Sequence, residues 1–183
     1  MMEFRSTTIP DVITIDPVLH EDDRGFMMET WTAEQFSSVG IDASFVLHLH
    51  SRSTGGTIRG VHYQVTQPQG KLIRALRGEI FDVAVDLRRS SGYFGQWVSE
   101  TLSGQNHRMI WIPPGFGHAF MVLSNEAEIE YRMTNSYAPE YERTIRWDDP
   151  DIGIEWPENR QGKPFVSRKD SQALSLRDAE LYD

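Results

Sequence analysis

Short runs of alternating or continuous apolar residues recur from one end of the chain to the other, broken every few positions by Gly, Pro, Asn, Asp or Ser. That punctuation is turn chemistry between strands. The pattern predicts strands over Val12–Ile15, Gly25–Trp31, Ser44–Ser51, Thr57–Gln64, Lys71–Arg77, Glu79–Leu87, Gln96–Leu102, Arg108–Ile112, His118–Leu123, Ala127–Thr134 and Thr144–Trp147. Two stretches read as helix. Thr32 and Gln35 fit a capping box with Gly40 as the stop, and a second short helix is predicted near Ser175–Leu181. Strands packed this closely leave no room for crossover helices, so the expected fold class is all-β: an antiparallel sandwich or barrel with a few short helices. No repeat, linker or low-complexity stretch divides the chain. A single domain over residues 1–183 is expected, the more polar segment from about residue 157 packing on its outside.

Strand phase points to the interior. In the strand around Tyr131, the side chains of Ile129, Tyr131 and Met133 share one face, with Glu128, Glu130 and Arg132 on the other. Tyr131 is therefore expected inside, where its hydroxyl needs a partner. Taken alone it reads better as a core tyrosine with a satisfied hydroxyl. Lys71 falls on the face of Ile73 and Ala75, the position of either a snorkelling rim lysine or a charge aimed at a ligand. Asp82, Ala84 and Asp86 share a face opposite Val83, Val85 and Leu87.

Composition narrows the function classes. Hydrophobic residues make up 39% of the 183, enough for a core that needs no covalent staples. A net charge of −9 argues against a general nucleic-acid binder, which needs a basic face to neutralise phosphates. With no cysteine, disulfide scaffolds, thiolate metal sites and cysteine nucleophiles are excluded. Met1 to Pro10 has no basic-then-apolar export pattern. No apolar run reaches the roughly 18 residues of a membrane span, so a soluble cytoplasmic protein is the expectation.

Candidate chemistry begins with histidine. His62 lies in Arg59-Gly60-Val61-His62-Tyr63-Gln64, and His118 in Pro113-Pro114-Gly115-Phe116-Gly117-His118. The second segment resembles the later motif of the cupins, small antiparallel jelly rolls with a site in the barrel mouth. The usual Asn four residues on is Val122 here, and the usual leading Gly is His107. Metal-dependent cupins also need a His-x-His and a Glu in the earlier motif, and here the position after next from His62 is Gln64. His48 and His50 could substitute and join His62 and His118, which keeps a metal-dependent oxygenase open as an alternative.

Further segments follow in a telling order: Asp23-Arg24-Gly25-Phe26 with Glu29, Gln69-Gly70-Lys71-Leu72, Phe81-Asp82 through Leu87-Arg88, Trp111-Ile112-Pro113, then Tyr131, Tyr137, Pro139-Glu140 and Glu142. Trp147-Asp148-Asp149-Pro150, Ile154-Glu155-Trp156-Pro157 and Arg168-Lys169-Asp170 complete it. From about Asp22 to Asp170 this resembles the dTDP-4-dehydrorhamnose 3,5-epimerase family. The resemblance implies a cupin-type jelly roll without metal or cofactor, a homodimer sharing strands, and a nucleotide-sugar substrate, most simply dTDP-linked. It implies epimerisation beside the C4 ketone of a deoxyhexulose, at C3 and C5. By motif match, His62 resembles the catalytic base, Tyr131 the acid on the opposite side, Asp170 the carboxylate orienting His62, and Lys71 the cation facing the enolate oxygen. Arg24, Glu29, Arg59, His118, Glu142 and Lys169 fall on substrate-contacting positions, and Tyr137 on the tyrosine that stacks on the base.

These residue types suit that chemistry. A proton next to a ketone is removable once the enolate is stabilised, so a base and an electrophile are needed together. Inversion needs proton removal from one face and return from the other. Two further readings stay open: a mono-epimerase or an enzyme for a CDP- or GDP-linked 4-keto sugar, and a sugar-nucleotide-binding cupin without turnover. Three features depart from simple expectation. Strict alternation puts Arg59 and His62 on opposite faces, so a shared site requires a bulge, expected at Gly60. Leu47 and Leu49 stand where the family usually has Gln and Asn, and Ala119 where it usually has Gly.

Overall fold

The computed structural model describes residues 1–160 and 162–183. Its strands are β1 (Glu3–Ser6), β2 (Ile13–Asp16), β3 (Leu19–Asp22), β4 (Gly25–Met28), β5 (Leu47–Thr54), β6 (Thr57–Gln64) and β7 (Lys71–Arg77). They continue as β8 (Glu79–Asp86), β9 (Trp97–Ser103), β10 (Met109–Ile112), β11 (Phe116–Val122), β12 (Glu126–Met133), β13 (Glu142–Thr144) and β14 (Phe165–Val166). Among the described residues, helices are limited to α1 (Ala33–Ser37), α2 (Arg168–Ser171) and a 3-10 turn at Pro139–Tyr141. Among the described residues no helix is long and apolar enough to cross a membrane.

Two sheets result, in the orders β1-β2-β10-β7-β12-β5 and β13-β6-β11-β8-β9, with β14 parallel to β6 and β3–β4 a separate hairpin. The expected antiparallel sandwich is present. Its principal core lies between the sheets, where Ile73, Ile110 and Ile129 of the first meet Ile80, Ala84, Phe116 and Phe120 of the second. Each sheet is also covered on its outer side. Phe36 of α1, 1% exposed, packs with Met2, Ile15, Met109 and Trp111 behind the first, and burying such a side chain contributes about 1.5–3 kcal/mol. The chain after Trp147 lays Ile152, Leu176 and Ala179 over Val61, Val83, Val85 and Ala119 behind the second. This is why β8 is buried on both faces; by alternation with Val83 and Val85, Asp82 lies on the inward one, with Ile80 and Ala84.

The bulge at Gly60 is present. His118 pairs with His62 but Phe120 pairs with Arg59, so three steps along β6 oppose two along β11. Gly60 has φ +117°, and a Cβ there would lie 2.5 Å from the His118 carbonyl oxygen and 2.6 Å from Ala119 Cα. Only glycine fits. The extra residue turns Arg59 and His62 to the same side.

Three local expectations differ. The predicted helix at Ser175–Leu181 is a series of turns, because the stretch is pinned to the body at both ends: Leu176 N donates to Asp149 Oδ2 (2.9 Å), the Glu180 carbonyl accepts from the Tyr63 hydroxyl (2.7 Å), and Tyr182 bridges to Arg88. Residues Arg168–Ser171 form a helical turn instead, capped by Ser167. The predicted strand at Thr144–Trp147 lies earlier, at Glu142–Thr144, and Gly25–Trp31 ends at Met28.

Candidate active site

Between the two sheets opens a cleft of about 290 Å³ walled by β5, β6, β7, β11, β12 and the chain leading into β13. His62, Lys71, Tyr131, His118, Arg59, Tyr137 and Glu142 all line it. These are residues from strands far apart in sequence, brought together by inward phase on each strand and by the Gly60 bulge.

His62 is held from behind. Its Nε2 lies 2.6 Å from Asp170 Oδ1, and with Nε2–H as donor the ring's Nδ1 is left to accept. Asp170 is supplied by α2. Ser167 caps that turn, its Oγ accepting from Asp170 N and donating to Asp170 Oδ2 at 2.9 Å. Burial pushes the Asp170 carboxyl up, but the hydrogen bonds from His62 and Ser167 outweigh it and keep the group below its ordinary range. It is a carboxylate aimed at one imidazole nitrogen.

Tyr131 enters from the first sheet, 8% exposed, its hydroxyl 3.2 Å from Ser51 Oγ on β5. Burial raises its pKa, with the Ser51 hydrogen bond opposing, so the phenol keeps its proton at neutral pH. Lys71, at the start of β7, is 5% exposed and does not snorkel. Its Nζ donates to the His62 carbonyl oxygen at 3.2 Å. Burial lowers it to about 8, and Asp82 and Glu142 hold it from falling further. His118 is likewise buried, its Nε2 2.8 Å from Asp82 Oδ2, and burial lowers its pKa against the pull of Asp82.

At the mouth, Tyr137 donates its hydroxyl to Glu142 Oε2 (2.8 Å), which also receives Lys169 Nζ at 2.5 Å. Burial pushes Glu142 up, but these two partners bring it below the ordinary value. Tyr137 itself is 56% exposed, a flat ring free to cover whatever enters. Arg59 Nε donates to Ser53 Oγ at 3.0 Å. Two buried amides fasten the segment that carries Tyr137: Gln64 receives Ala138 N at 2.9 Å and donates to Ser136 O, and Gln69 donates to Asn135 O at 3.0 Å. The glutamine at the position of a metal-ligand histidine is thus spent on backbone.

Two expected contacts are not brought to this cleft. Arg24 stands on the exposed β3–β4 hairpin, paired with Asp22, and Glu29 accepts from Gln35 beside α1. The four-histidine metal alternative is corrected by geometry. His48 is absent from the cleft lining, His50 borders it but is paired with Glu128 at 3.0 Å, and His62 and His118 are each engaged by a separate carboxylate, Asp170 and Asp82. Among the described residues no group of three or more His, Cys, Asp or Glu is placed to hold a metal. Leu49 reaches the cleft, cross-strand from Tyr131, whereas Leu47 lies opposite Met133 and outside the lining. Sequence reasoning gave no role to Asp82, Ser51, Gln64 or Gln69. An aspartate on the same face as Ala84 in an otherwise apolar strand was the available signal for Asp82.

A family model described as dTDP-4-dehydrorhamnose 3,5-epimerase matches residues 6–178. The chain is 50% identical, over 182 residues and 99% of both sequences, to the dTDP-4-dehydrorhamnose 3,5-epimerase of Pseudomonas aeruginosa. Its fold is similar to that of the dTDP-6-deoxy-D-glucose-3,5-epimerase of Legionella pneumophila solved with dTDP-4-keto-L-rhamnose. The TM-score is 0.95 and the identity 43%, over 98% of this chain and 95% of that one. A 3′-monoepimerase from Streptomyces bikiniensis in complex with dTDP-quinovose is also similar, at TM-score 0.87 and 30% identity over 94% and 87% of the two chains.

Proposed function

The chain belongs to the dTDP-4-dehydrorhamnose 3,5-epimerase family and is an isomerase, and from that premise we propose that it inverts C3 and C5 of dTDP-4-dehydro-6-deoxyglucose with His62 as base and Tyr131 as acid. The observation that carries this reading is the opposition of the two groups. His62, backed by Asp170 at 2.6 Å, faces the cleft from the second sheet, and the Tyr131 hydroxyl faces it from the first.

A hexulose lying between them presents one face of its ring to each. His62 Nδ1 takes the proton from a carbon beside the C4 ketone, and Asp170 stabilises the imidazolium that forms. The electron pair moves onto O4, where Lys71 offsets the developing charge in a wall with little water to screen it. Tyr131 then returns a proton from the opposite face, and the centre is inverted. The same set serves C3 and C5, since both flank the ketone. Every step is proton transfer between the substrate and these side chains, so the reading calls for no metal or redox cofactor.

Arg59 fits the pyrophosphate, since a guanidinium meets phosphate oxygens through paired donors, and Tyr137 fits the base as a stacking ring. Arg24 and Glu29, standing away from this chain's own cleft, support a homodimer in which a second copy brings its β3–β4 hairpin to the site. The reading places the enzyme in the cytoplasm, where a nucleotide sugar would be made and used.

Incubation with dTDP-4-dehydro-6-deoxyglucose in deuterated water tests the proposal. Deuterium is expected at both C3 and C5 of the product. Label at one carbon alone would make it a mono-epimerase, and label at neither would overturn the reading.

A further inference from the structure

One carboxylate more is buried beside this site than the reaction as derived employs. Asp82 lies on the inward face of β8 with none of its side chain reaching solvent. Its Oδ2 is taken by His118 Nε2 at 2.8 Å, while Oδ1 is buried with no hydrogen-bond partner among the described residues. Such an oxygen gives up water and gains nothing in return, so it calls for an explanation. Asp86, four residues on along the same face, shows the ordinary arrangement. Arg88 and Ser91 together satisfy both of its oxygens. Asp82 has no such fork.

Lys71 presents the complementary problem. Its ammonium is buried, and the hydrogen bond it makes is to the neutral carbonyl of His62. Buried charges persist when a countercharge accompanies them. The groups lining the cleft with it are His62 and Arg59 from β6, His118 from β11, Tyr131 from β12 and Glu142 from β13, and Asp82 from β8 stands directly behind His118, close enough to act on Lys71 through its charge. Two of these are anions. Glu142 is already engaged by Lys169 and Tyr137, and Asp82 is the one with an oxygen to spare.

We propose that Asp82 is a positioning residue for the epimerisation: one carboxylate oxygen fixes the ring of His118, and the negative charge of the group keeps Lys71 an ammonium ion in the buried wall of the cleft. The proposal rests on the role of Lys71 given above. Burial alone drives Lys71 toward the neutral amine, and even with Asp82 in place its pKa is about 8. Without that charge the lysine loses its proton within the physiological range.

The chain has three lysines, Lys71, Lys163 and Lys169, so protein labelled with 13C-lysine gives a spectrum simple enough to titrate residue by residue. Loss of one ε-carbon signal in Lys71→Met assigns it. In Asp82→Asn the Lys71 midpoint is expected to fall by about one pH unit or more, with the other two unmoved. The alkaline limb of kcat/KM is expected to move down with it, and Asp82→Glu to recover part of the shift. If Asp82→Asn does not fold, Asp82→Ser carries the same titration. An unmoved Lys71 midpoint in a folded variant overturns the proposal whatever happens to activity. A lowered midpoint with an unmoved kcat/KM limb upholds the charge role of Asp82 and instead removes Lys71 from the chemistry.

Discussion

His62 and Tyr131 face one another across the sandwich from different sheets, His62 on β6 and Tyr131 on β12, with the cleft between them. Neither is a neighbour of the other along a strand or across a ladder. Their opposition is a property of the fold: two sheets packed face to face present side chains toward a common space from opposite directions. A reaction that removes a proton from one side of a ring and returns it on the other needs that arrangement.

His62→Ala is expected to lose turnover by a hundredfold or more, the usual contribution of a general base, while nucleotide binding stays nearly intact. Asp170→Asn should come close to the same loss, because an amide no longer favours the tautomer that leaves Nδ1 free. Solvent-exchange rates at C3 and C5, beside calorimetric titration with dTDP, make the check. Exchange near the wild-type rate in His62→Ala would remove His62 from the mechanism.

Tyr131→Phe keeps the ring and its packing and deletes the hydroxyl proposed as the proton donor. Abstraction by His62 remains, so deuterium is expected to enter from solvent while inversion slows, dividing two events that run together in the wild type. The product's configuration and its label, read in one NMR spectrum, give both numbers. Inversion at the normal rate would make Tyr131 a core tyrosine whose hydroxyl is satisfied by Ser51.

How much of this was legible from residue order alone depends on the range of the cause. Tyr131 and Lys71 were legible because a period of two assigns a face within a single strand. The Gly60 bulge was legible as a contradiction: Arg59 and His62 could not both face the site unless the strand gained a residue. Asp170 could be placed only by the family resemblance, since α2 is four residues long and too short to show periodicity. The turns at Ser175–Leu181 were misread as a helix because Leu176 and Ala179 have helical spacing. What decides their structure is Asp149, which lies far back in the chain. The hairpin β3–β4 is largely exposed and so shows little of the alternation by which the buried strands were read.

Lys71 ties activity and stability to pH with opposite signs. Its folded pKa of about 8 lies well below the unfolded value. Between the two, the unfolded chain holds the proton and the folded chain does not, so this group's contribution to stability rises with pH above about 8, by roughly 3 kcal/mol over the full span. Catalysis runs the other way, since the neutral amine cannot offset the enolate, and kcat/KM is expected to fall through the same range. Urea unfolding and kcat/KM measured between pH 7 and about 10 test both. In Lys71→Met the alkaline gain in stability should vanish. A kcat/KM that stays level through this range would set the electrophile elsewhere.

Leu47 and Leu49 stand where amides are usual in the family, and the structure separates them. Leu49 is 43% exposed and lines the cleft beside Tyr131, while Leu47 is half-buried opposite Met133 and does not reach the lining. An aliphatic side chain at the cleft gives a polar substrate group nothing to bond, and a hydrogen bond is worth about 0.5–1.5 kcal/mol, or roughly two- to tenfold. Leu49→Asn is therefore expected to raise kcat/KM for dTDP-4-dehydro-6-deoxyglucose by that factor. Leu47→Gln should leave it unchanged, and the double variant should match Leu49→Asn alone, because only one of the two side chains meets the ligand. The chain as it stands then favours a substrate with a less polar edge at this point. Steady-state kinetics of the three variants decide the matter: no gain in Leu49→Asn would mean that neighbouring groups already make the contact, and that the leucine is there for packing against Tyr131.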